Sequence, residues 1–227
     1  MRITFISDTH TKHRNLTLPG GDLLIHAGDL MNSGRVIEEV ADFANWFSNQ
    51  LQYKHKVFIA GNHDRLFENA PESVASVIKA FGRGITYLED QSHMIDSVKL
   101  YGSPWQPEFY NWAFNLPRGG ITLKETWDEI PKNTDILITH GPPQGHLDMS
   151  GPPYNEPNLG CELLRARVDK LKPKIHVFGH IHGSYGYKFN GQTHFINAAV
   201  LDERYQNTNR PITADWNPTT NELTFIE

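Results

Sequence analysis

Five short apolar runs in this chain each end abruptly in polar residues, and this repeated arrangement most restricts how the chain can fold. The runs are Arg2–Ile6, Asp22–His26, Lys56–Ile59, Asp135–Ile138 and Lys174–Phe178. Each is short and rich in aliphatic or aromatic side chains, which is typical of a strand buried on both faces of a sheet. The sequence therefore predicts a buried sheet whose strands all end in chemically active loops.

Amphipathic patterns between some of these runs predict helices. Apolar residues recur every three or four positions over 35–50. Pro71 opens a second pattern over 71–80, because proline fits the first turn of a helix. A third pattern covers 160–171 and stops before Pro173. The alternation of strands and helices favours an α/β fold with helical crossovers.

Two further segments, 85–102 and 185–226, carry several short strand patterns with turn residues between them. Asn190 and Gly191 form a strong hairpin signal within the second segment. We therefore expect mixed pairing and a second sheet that packs on the first. The segment 103–120 is rich in aromatic residues, proline and glycine and shows no period, so we expect a long ordered loop there.

Length, charge and hydropathy restrict the class of protein. The 227 residues suit one α/β domain over 1–227. A formal net charge of −5 gives no general attraction to nucleic acid or to anionic membranes. The N-terminus lacks the apolar core of a signal peptide, and no apolar stretch approaches the length of about 18 residues that a transmembrane helix needs. We expect a soluble cytoplasmic protein, with no membrane segment and nucleic acid disfavoured as a partner.

The histidine and cysteine counts point to a metal. The chain has 12 histidines and one cysteine, Cys161, which excludes an intramolecular disulfide framework and a multi-cysteine zinc site. Ligands bind outside the carboxyl ends of strands in open α/β sheets. The predicted strand ends carry Asp8, His10, Asp29, Asn62, His63, His140, His180 and His182. Carboxylate, imidazole and amide together suit Mn, Fe or Zn, and so many ligands suit two metals that share a carboxylate.

The same residues carry a family resemblance. The blocks SDTH, GDLMN, GNHD, TH and GHIH occur in this order over 8–182 and resemble the signature of the calcineurin-like metallophosphoesterases. The stretches GSPWQPEFYNWAFNLPRG at 102–119 and THGPPQGHLD at 139–148 resemble the small metallophosphoesterase-domain proteins of that superfamily. The resemblance implies an α/β fold of two mixed sheets flanked by helices, in α/β/β/α layers, and an active phosphoesterase.

The resemblance also implies a ligand set. One metal is expected on Asp8, His10 and His182, a second on Asn62, His140 and His180, and Asp29 is expected to bridge them. The residue types agree, because a bridging position needs a bidentate anion and Asp29 is the carboxylate placed for it. Manganese is the expected metal, and iron, zinc and magnesium are compatible with the same ligands.

His63 has no metal in this scheme, and we expect it to contact the phosphate and to protonate the leaving alkoxide. Asp64 is expected to hold the His63 ring by accepting a hydrogen bond. The expected nucleophile is a metal-bound hydroxide.

The aromatic loop at 103–118 leaves two interpretations open: a satellite core, or a wall of the substrate pocket. In the second, an aromatic face stacks on a base and an arginine pairs with phosphate. The residues expected to contact substrate are Asn62, His63, Arg65, Trp105, Trp112 and Arg118. The subgroup resemblance implies cyclic-nucleotide phosphodiesterase activity.

Other functions remain open at this point. One is a protein Ser/Thr phosphatase or a general phosphomonoesterase. Another is a nucleotide- or partner-binding protein with incidental activity.

Overall fold

Two six-stranded mixed sheets form the centre of the computed structural model, which describes residues 1–226. The strands are β1 (Arg2–Ile6), β2 (Gly21–Ala27), β3 (Tyr53–Ile59), β4 (Thr86–Tyr87), β5 (Gln91–Ile95), β6 (Val98–Ser103), β7 (Gln106–Pro107), β8 (Asn115–Leu116), β9 (Ile136–Thr139), β10 (Ile175–Phe178), β11 (Gly186–Phe189), β12 (His194–Asn197), β13 (Ile212–Trp216) and β14 (Leu223–Ile226). The helices are α1 (Ile37–Ser48), α2 (Arg65–Asn69), α3 (Pro71–Phe81), α4 (Ile121–Asp128) and α5 (Glu162–Leu171).

The strand order explains why the polar strand ends meet. The first sheet runs β14-β13-β1-β2-β3-β4 and the second runs β11-β12-β10-β9-β6-β5. Strands β1, β2 and β3 are parallel, and so are β6, β9, β10 and β12. A parallel bridge from Ser7 to Ala199 joins the loop after β1 to the loop after β12. The carboxyl ends of both parallel sets therefore face one edge of the sandwich.

The core has three apolar layers. Between the sheets, Ile3 and Leu23 pack in one fully buried cluster with Ile136 and Val177. Outside the first sheet, α1 contributes Phe43 and Phe47 to a second cluster, which also holds Phe58 of β3.

Outside the second sheet, Trp127 of α4 and Leu164 of α5 lie in a third cluster with Phe178 and Phe195. The predicted α/β/β/α sandwich is confirmed.

Most predicted elements are confirmed within one or two residues of their expected ends. The predicted helices at 35–50, 71–80 and 160–171 correspond to α1, α3 and α5. The hairpin signal at Asn190 and Gly191 joins β11 to β12. The sequence interpretation missed α2 and α4, because α2 is only five residues long and α4 buries only Leu123 and Trp127.

The segment 103–120 needs a correction, since its sequence shows no strand period. Residues Gln106–Pro107 and Asn115–Leu116 pair as a small parallel sheet, so the loop closes on itself. Among the helices described for residues 1–226, none combines the length and apolar character needed to cross a bilayer.

The buried histidine of β10 leads to a testable pH dependence. His176 is fully buried, and burial, followed by the charge of His146, lowers its pKa from 6.5 to about 3. The unfolded chain takes up a proton below pH 6.5 while the native imidazole stays neutral, so stability falls as the pH drops from about 6.5 toward 3. Replacing His176 with glutamine should reduce this loss by about 1 kcal/mol per pH unit between pH 6 and 4.

Urea unfolding at pH 6.5, 5.5 and 4.5 measures the effect as the difference between wild type and variant. His93→Gln, on the edge strand β5, is the matched control. Equal pH slopes for wild type and His176→Gln would show that His176 does not contribute.

Candidate metal centre

The loops after the strands turn sharply toward one point. Four candidate residues have left-handed backbone conformations, which are uncommon for residues other than glycine and concentrate at functional sites. They are Asp8 (φ 55°), His10 (φ 39°), Asp29 (φ 59°) and His180 (φ 67°). The chain therefore accepts local strain where β1, β2 and β10 end at the shared edge.

A first cluster joins the loops after β1 and β10. One ligand atom each from Asp8, His10 and His182 lies within 4.8 Å of the others. The Nε2 atom of His182 is 3.2 Å from Oδ1 of Asp8, and the backbone N–H of His180 donates to both carboxylate oxygens at 3.1 Å. Burial alone would raise the pKa of Asp8, but the hydrogen bond and charge of His182 hold that pKa below its ordinary value.

Asp29 connects this cluster to the rest of the site. Its Oδ2 atom lies 3.6 Å from Nε2 of His10 and 3.4 Å from Nε2 of His140. Asp29 belongs to two further groups whose ligand atoms lie within 4.8 Å, one with Asp8 and His140 and one with His10 and His63. This central place is the one that a bridging carboxylate needs.

The remaining two expected ligands lie beside His140. The Oδ1 atom of Asn62 is 2.8 Å from Nε2 of His140. The ring of His180 lies 5.1 Å from the ring of His140, centroid to centroid. All seven residues expected to hold metal thus lie at one edge of the sandwich.

Three of the imidazoles are oriented by main-chain carbonyl groups. The Nδ1 atoms of His10, His140 and His182 lie 3.1, 2.9 and 3.0 Å from the carbonyl oxygens of Met31, Ala27 and Asp202. A carbonyl oxygen only accepts, so each Nδ1 donates its proton there and each Nε2 is the nitrogen that faces the cluster. This is how metal-binding imidazoles are commonly fixed.

The polar atoms of this cluster that lack a full set of hydrogen-bond partners fit a divalent cation. Within residues 1–226, Nε2 of His10 is buried and has no hydrogen-bond partner. The ion-pair partners found for the buried carboxylates of Asp8 and Asp29 are histidines. Clustered carboxylate oxygens and imidazole nitrogens that lack a full set of partners are a donor set for a metal of the Mn, Fe or Zn kind.

His63 stands beside this cluster, and its contacts correct one expectation. Its Nδ1 atom lies 2.5 Å from the carbonyl oxygen of Asn32, not on the carboxylate of Asp64. Its ring lies 4.6 Å from the ring of His10 and stacks on Trp112 at 4.0 Å. A backbone carbonyl and an indole therefore orient His63.

Asp64 has a different place in the structure. Its fully buried carboxylate accepts hydrogen bonds from the backbone N–H groups of Asp29, Leu30, Met31 and Gly61. Burial, followed by the charge of Asp29, raises the pKa of Asp64 to about 8. The side chain ties the loop after β2 to the loop after β3. Both of its oxygens accept from backbone N–H groups, so it does not hold the His63 ring.

A cavity of about 610 Å³ opens onto the cluster. Of the residues expected to contact substrate, Asn62, His63 and Arg118 line it. Four aromatic side chains that the sequence interpretation did not assign to substrate also line it, namely Phe109, Tyr110, Tyr154 and Tyr205. Tyr154 and Tyr205 lie in irregular segments after β9 and β12, where no periodic pattern marks their direction.

Tyr205 lies close to the candidate ligands. Its ring centroid is 4.9 Å from that of His10 and 5.3 Å from that of His182. Its signal in the sequence is weak, because an aromatic residue in a loop is more often a packing residue.

The other expected substrate contacts need correction. Trp105 donates to Asp90 at 2.7 Å and packs edge-on against Phe114, so it belongs to the satellite core. The guanidinium of Arg65 lies over Trp112. In the described part of the chain, Arg65, Trp105 and Trp112 are not among the residues that line the cavity. One part of the aromatic loop thus packs in the satellite core, and another part lines the cavity.

Comparison with known proteins agrees with this geometry. The family model described as calcineurin-like phosphoesterase matches residues 1–184. The human metallophosphoesterase domain-containing protein 1 is 40% identical in an alignment of 235 positions that covers 94% of this chain and 70% of that protein. The Caenorhabditis elegans UPF0046 protein C25E10.12 is 39% identical in an alignment of 230 positions that covers 95% of this chain and 80% of that protein.

A solved structure shows the same fold. The crystal structure of TT1561 of Thermus thermophilus superposes with a TM-score of 0.65 at 13% identity, covering 100% of this chain and 98% of that one.

Proposed function

Because the chain belongs to the calcineurin-like phosphoesterase family, we propose that it is a dinuclear-metal-dependent phosphodiesterase of small phosphodiesters, cyclic nucleotides among them. One observation carries the proposal. Three overlapping groups of carboxylate and imidazole atoms, each within 4.8 Å, adjoin an open cleft that Asp29, His63 and His182 line. Such a set can hold two cations beside a bound phosphate.

We assign the ligand roles as the family resemblance implies, and the cluster of Asp8, His10 and His182 supports the first of them. Asp8, His10 and His182 would hold one ion, Asn62, His140 and His180 the other, and Asp29 would contact both. Manganese suits this mixture of carboxylate, imidazole and amide. When bound, the two cations would lower the pKa of water and offset the charge on the phosphate oxygens.

His63 would supply the proton for the leaving group. Its Nδ1 proton is directed to the carbonyl of Asn32, so Nε2 is the nitrogen left for the substrate. His63 lines the cleft beside Asn62. Once protonated, the imidazole can give its Nε2 proton to the departing alkoxide.

The charge of the cleft favours a diester over a monoester. Among the lining residues of the described chain, Arg118 is the one lysine or arginine, and its guanidinium pairs with Glu162 at 2.7 Å. Glu156 and Glu203 also line the cleft and add negative charge. A phosphate monoester carries about −1.5 to −2 at pH 7, whereas a diester carries a single charge. The diester therefore meets less repulsion.

The walls of the cleft support a nucleotide as substrate. Phe109, Tyr110, Tyr154 and Tyr205 place aromatic rings along the cleft. A ring face can stack on a nucleobase, and such a contact is worth about 1–3 kcal/mol.

The proposal is tested by comparing esters in the presence of Mn²⁺. The substrates are bis(p-nitrophenyl) phosphate, p-nitrophenyl phosphate, 2′,3′- and 3′,5′-cyclic AMP, and a phosphoserine peptide. We expect kcat/KM for the diesters to exceed that for the monoesters at least about tenfold, which equals about 1.4 kcal/mol in transition-state free energy. Activity should vanish in chelator and return with metal.

Two variants control this experiment. Asp29→Asn should lose about a thousandfold in kcat/KM, because it removes several kcal/mol of metal-borne stabilisation. Asp22→Asn, a change at a surface carboxylate paired with Lys54, should leave the rate unchanged. Undiminished activity of metal-stripped protein overturns the proposal.

Other results would redirect it. A preference for the phosphopeptide or for monoesters would indicate a phosphatase, and tight nucleotide binding without turnover would indicate a binding protein.

A further inference from the structure

His63, Trp112 and Arg65 form a stack of side chains beside the candidate metal ligands. The imidazole of His63 stacks on the indole of Trp112, with centroids 4.0 Å apart and planes 23° apart. The guanidinium carbon of Arg65 lies 4.6 Å from the centroid of the same indole. His63 and Arg65, which belong to one turn, therefore both pack against the Trp112 ring of the aromatic loop.

The main chain fixes this ring on both sides of Trp112. The backbone N–H of Ala113 donates to the carbonyl of Asn62 at 3.0 Å. The carbonyl of Asn111 accepts a hydrogen bond from Arg65. The residues before and after Trp112 are thus tied to the turn that carries His63, so the main chain of Trp112 is held beside that turn.

The edge of the imidazole is fixed as well. The carbonyl of Asn32 lies 2.5 Å from Nδ1. The loop carrying Asn32 packs closely on the turn, because a Cβ added at Gly34 would lie under 3.0 Å from the carbonyl oxygen of His63 and the backbone nitrogen of Arg65. Gly34 has φ +71°, a conformation that favours glycine. Face and edge contacts together leave Nε2 as the free atom of the ring.

We propose that Trp112 is a positioning residue, which holds the plane of the His63 imidazole so that Nε2 meets the leaving oxygen of the phosphodiester. The inference rests on the proposed function and deepens it. Trp112 then contacts the proton donor His63 and does not stack on the nucleobase of the substrate. Among the described residues, Trp112 does not itself line the cleft.

The kinetic test uses the dependence on the leaving group. A proton donor matters most when the leaving alkoxide is strongly basic, and little when it is p-nitrophenolate. For Trp112→Leu with Mn²⁺, we expect kcat on a methyl or phenyl ester of a nucleotide to fall about a hundredfold, the usual cost of displacing a catalytic group by about 1 Å. KM and kcat on the matching p-nitrophenyl ester should change little.

Trp112→Phe keeps an aromatic face and should restore most of the lost rate. His63→Gln should show the same dependence on the leaving group as Trp112→Leu. Equal losses on both esters for Trp112→Leu, or no rescue by phenylalanine, would assign Trp112 a structural role only and overturn the inference.

A second measurement does not need metal. The ring protons of His63 lie over the indole, so their nuclear magnetic resonance signals should be shifted upfield in the metal-free wild type. They should move downfield in Trp112→Leu and remain largely shifted in Trp112→Phe, with His63→Gln used for assignment. Unshifted signals in wild type overturn the stack. An inactive wild type with shifted signals instead overturns the proposed function and leaves the stack in place.

Discussion

Replacing Asp64 with alanine should lower the free energy of unfolding by about 4 kcal/mol. The carboxylate is fully buried and accepts from four backbone N–H groups, those of Asp29, Leu30, Met31 and Gly61. Each buried donor left without a partner costs about 1–3 kcal/mol, less where water enters the space. For a chain of this length, about 4 kcal/mol corresponds to a drop in Tm of about 8–16 °C.

Two further variants test whether the lost hydrogen bonds of Asp64 cause the fall in the free energy of unfolding. Asp64→Asn keeps one acceptor oxygen but offers an amide N–H to the other donors, so its free energy of unfolding should lie between those of wild type and Asp64→Ala. Asp22→Ala removes a surface carboxylate paired with Lys54 and should cost less than about 1 kcal/mol. Urea unfolding of the metal-free protein gives all three values. A loss for Asp64→Ala no larger than that for Asp22→Ala would contradict the assigned role.

The position of Asp64 also bears on catalysis. Its carboxylate binds the N–H of Asp29 itself, the residue proposed to contact both metals. The backbone N–H of His63 in turn donates to the side chain of Asp29 at 2.7 Å. Asp64 therefore holds the main chain of Asp29, the proposed bridging residue, and the His63 ring is oriented by Asn32 and Trp112.

The difference between the expected and the observed role of Asp64 shows how far residue types alone can predict a site. Strand ends such as Asp8 and His140 could be assigned from the sequence, because a short apolar run determines where its strand stops and parallel strands stop at one edge. The direction of a side chain in the following loop depends on contacts from distant segments. Asp64 accepts from residues 29–31, more than 30 positions earlier, and no local pattern reports such contacts.

The aromatic loop illustrates the same limit. Trp105 and Trp112 share a segment and a residue type, yet Trp105 donates to Asp90 in the satellite core and Trp112 stacks on His63. Their difference arises because β7 and β8 pair and fold the loop back on itself. Tyr205 reaches the cleft through a turn after β12, which brings it within 4.9 Å of His10.

Replacing Gly179 with alanine should disable the first metal position. Gly179 follows β10 and precedes His180, and a Cβ added there would lie under 3.0 Å from Oδ2 of Asp8 and Oγ of Ser7. Real side chains do not tolerate such contacts, and both atoms belong to buried residues at the end of β1. The Asp8 carboxylate would have to move, which breaks its bonds to His182 and to the backbone of His180.

We expect Gly179→Ala to lower kcat/KM about a hundredfold, since a displacement of about 1 Å at a reacting centre has this cost. Overpacking should also remove about 1–3 kcal/mol of stability. Gly141→Ala is the matched control for folding and metal affinity, because its added Cβ would meet only Gln106 at 3.9 Å. Calorimetric titration with Mn²⁺ should show one strong site lost in Gly179→Ala and both retained in Gly141→Ala. Wild-type metal affinity and rate in Gly179→Ala would mean that Asp8 does not need its observed position, and the proposed ligand set would have to be revised.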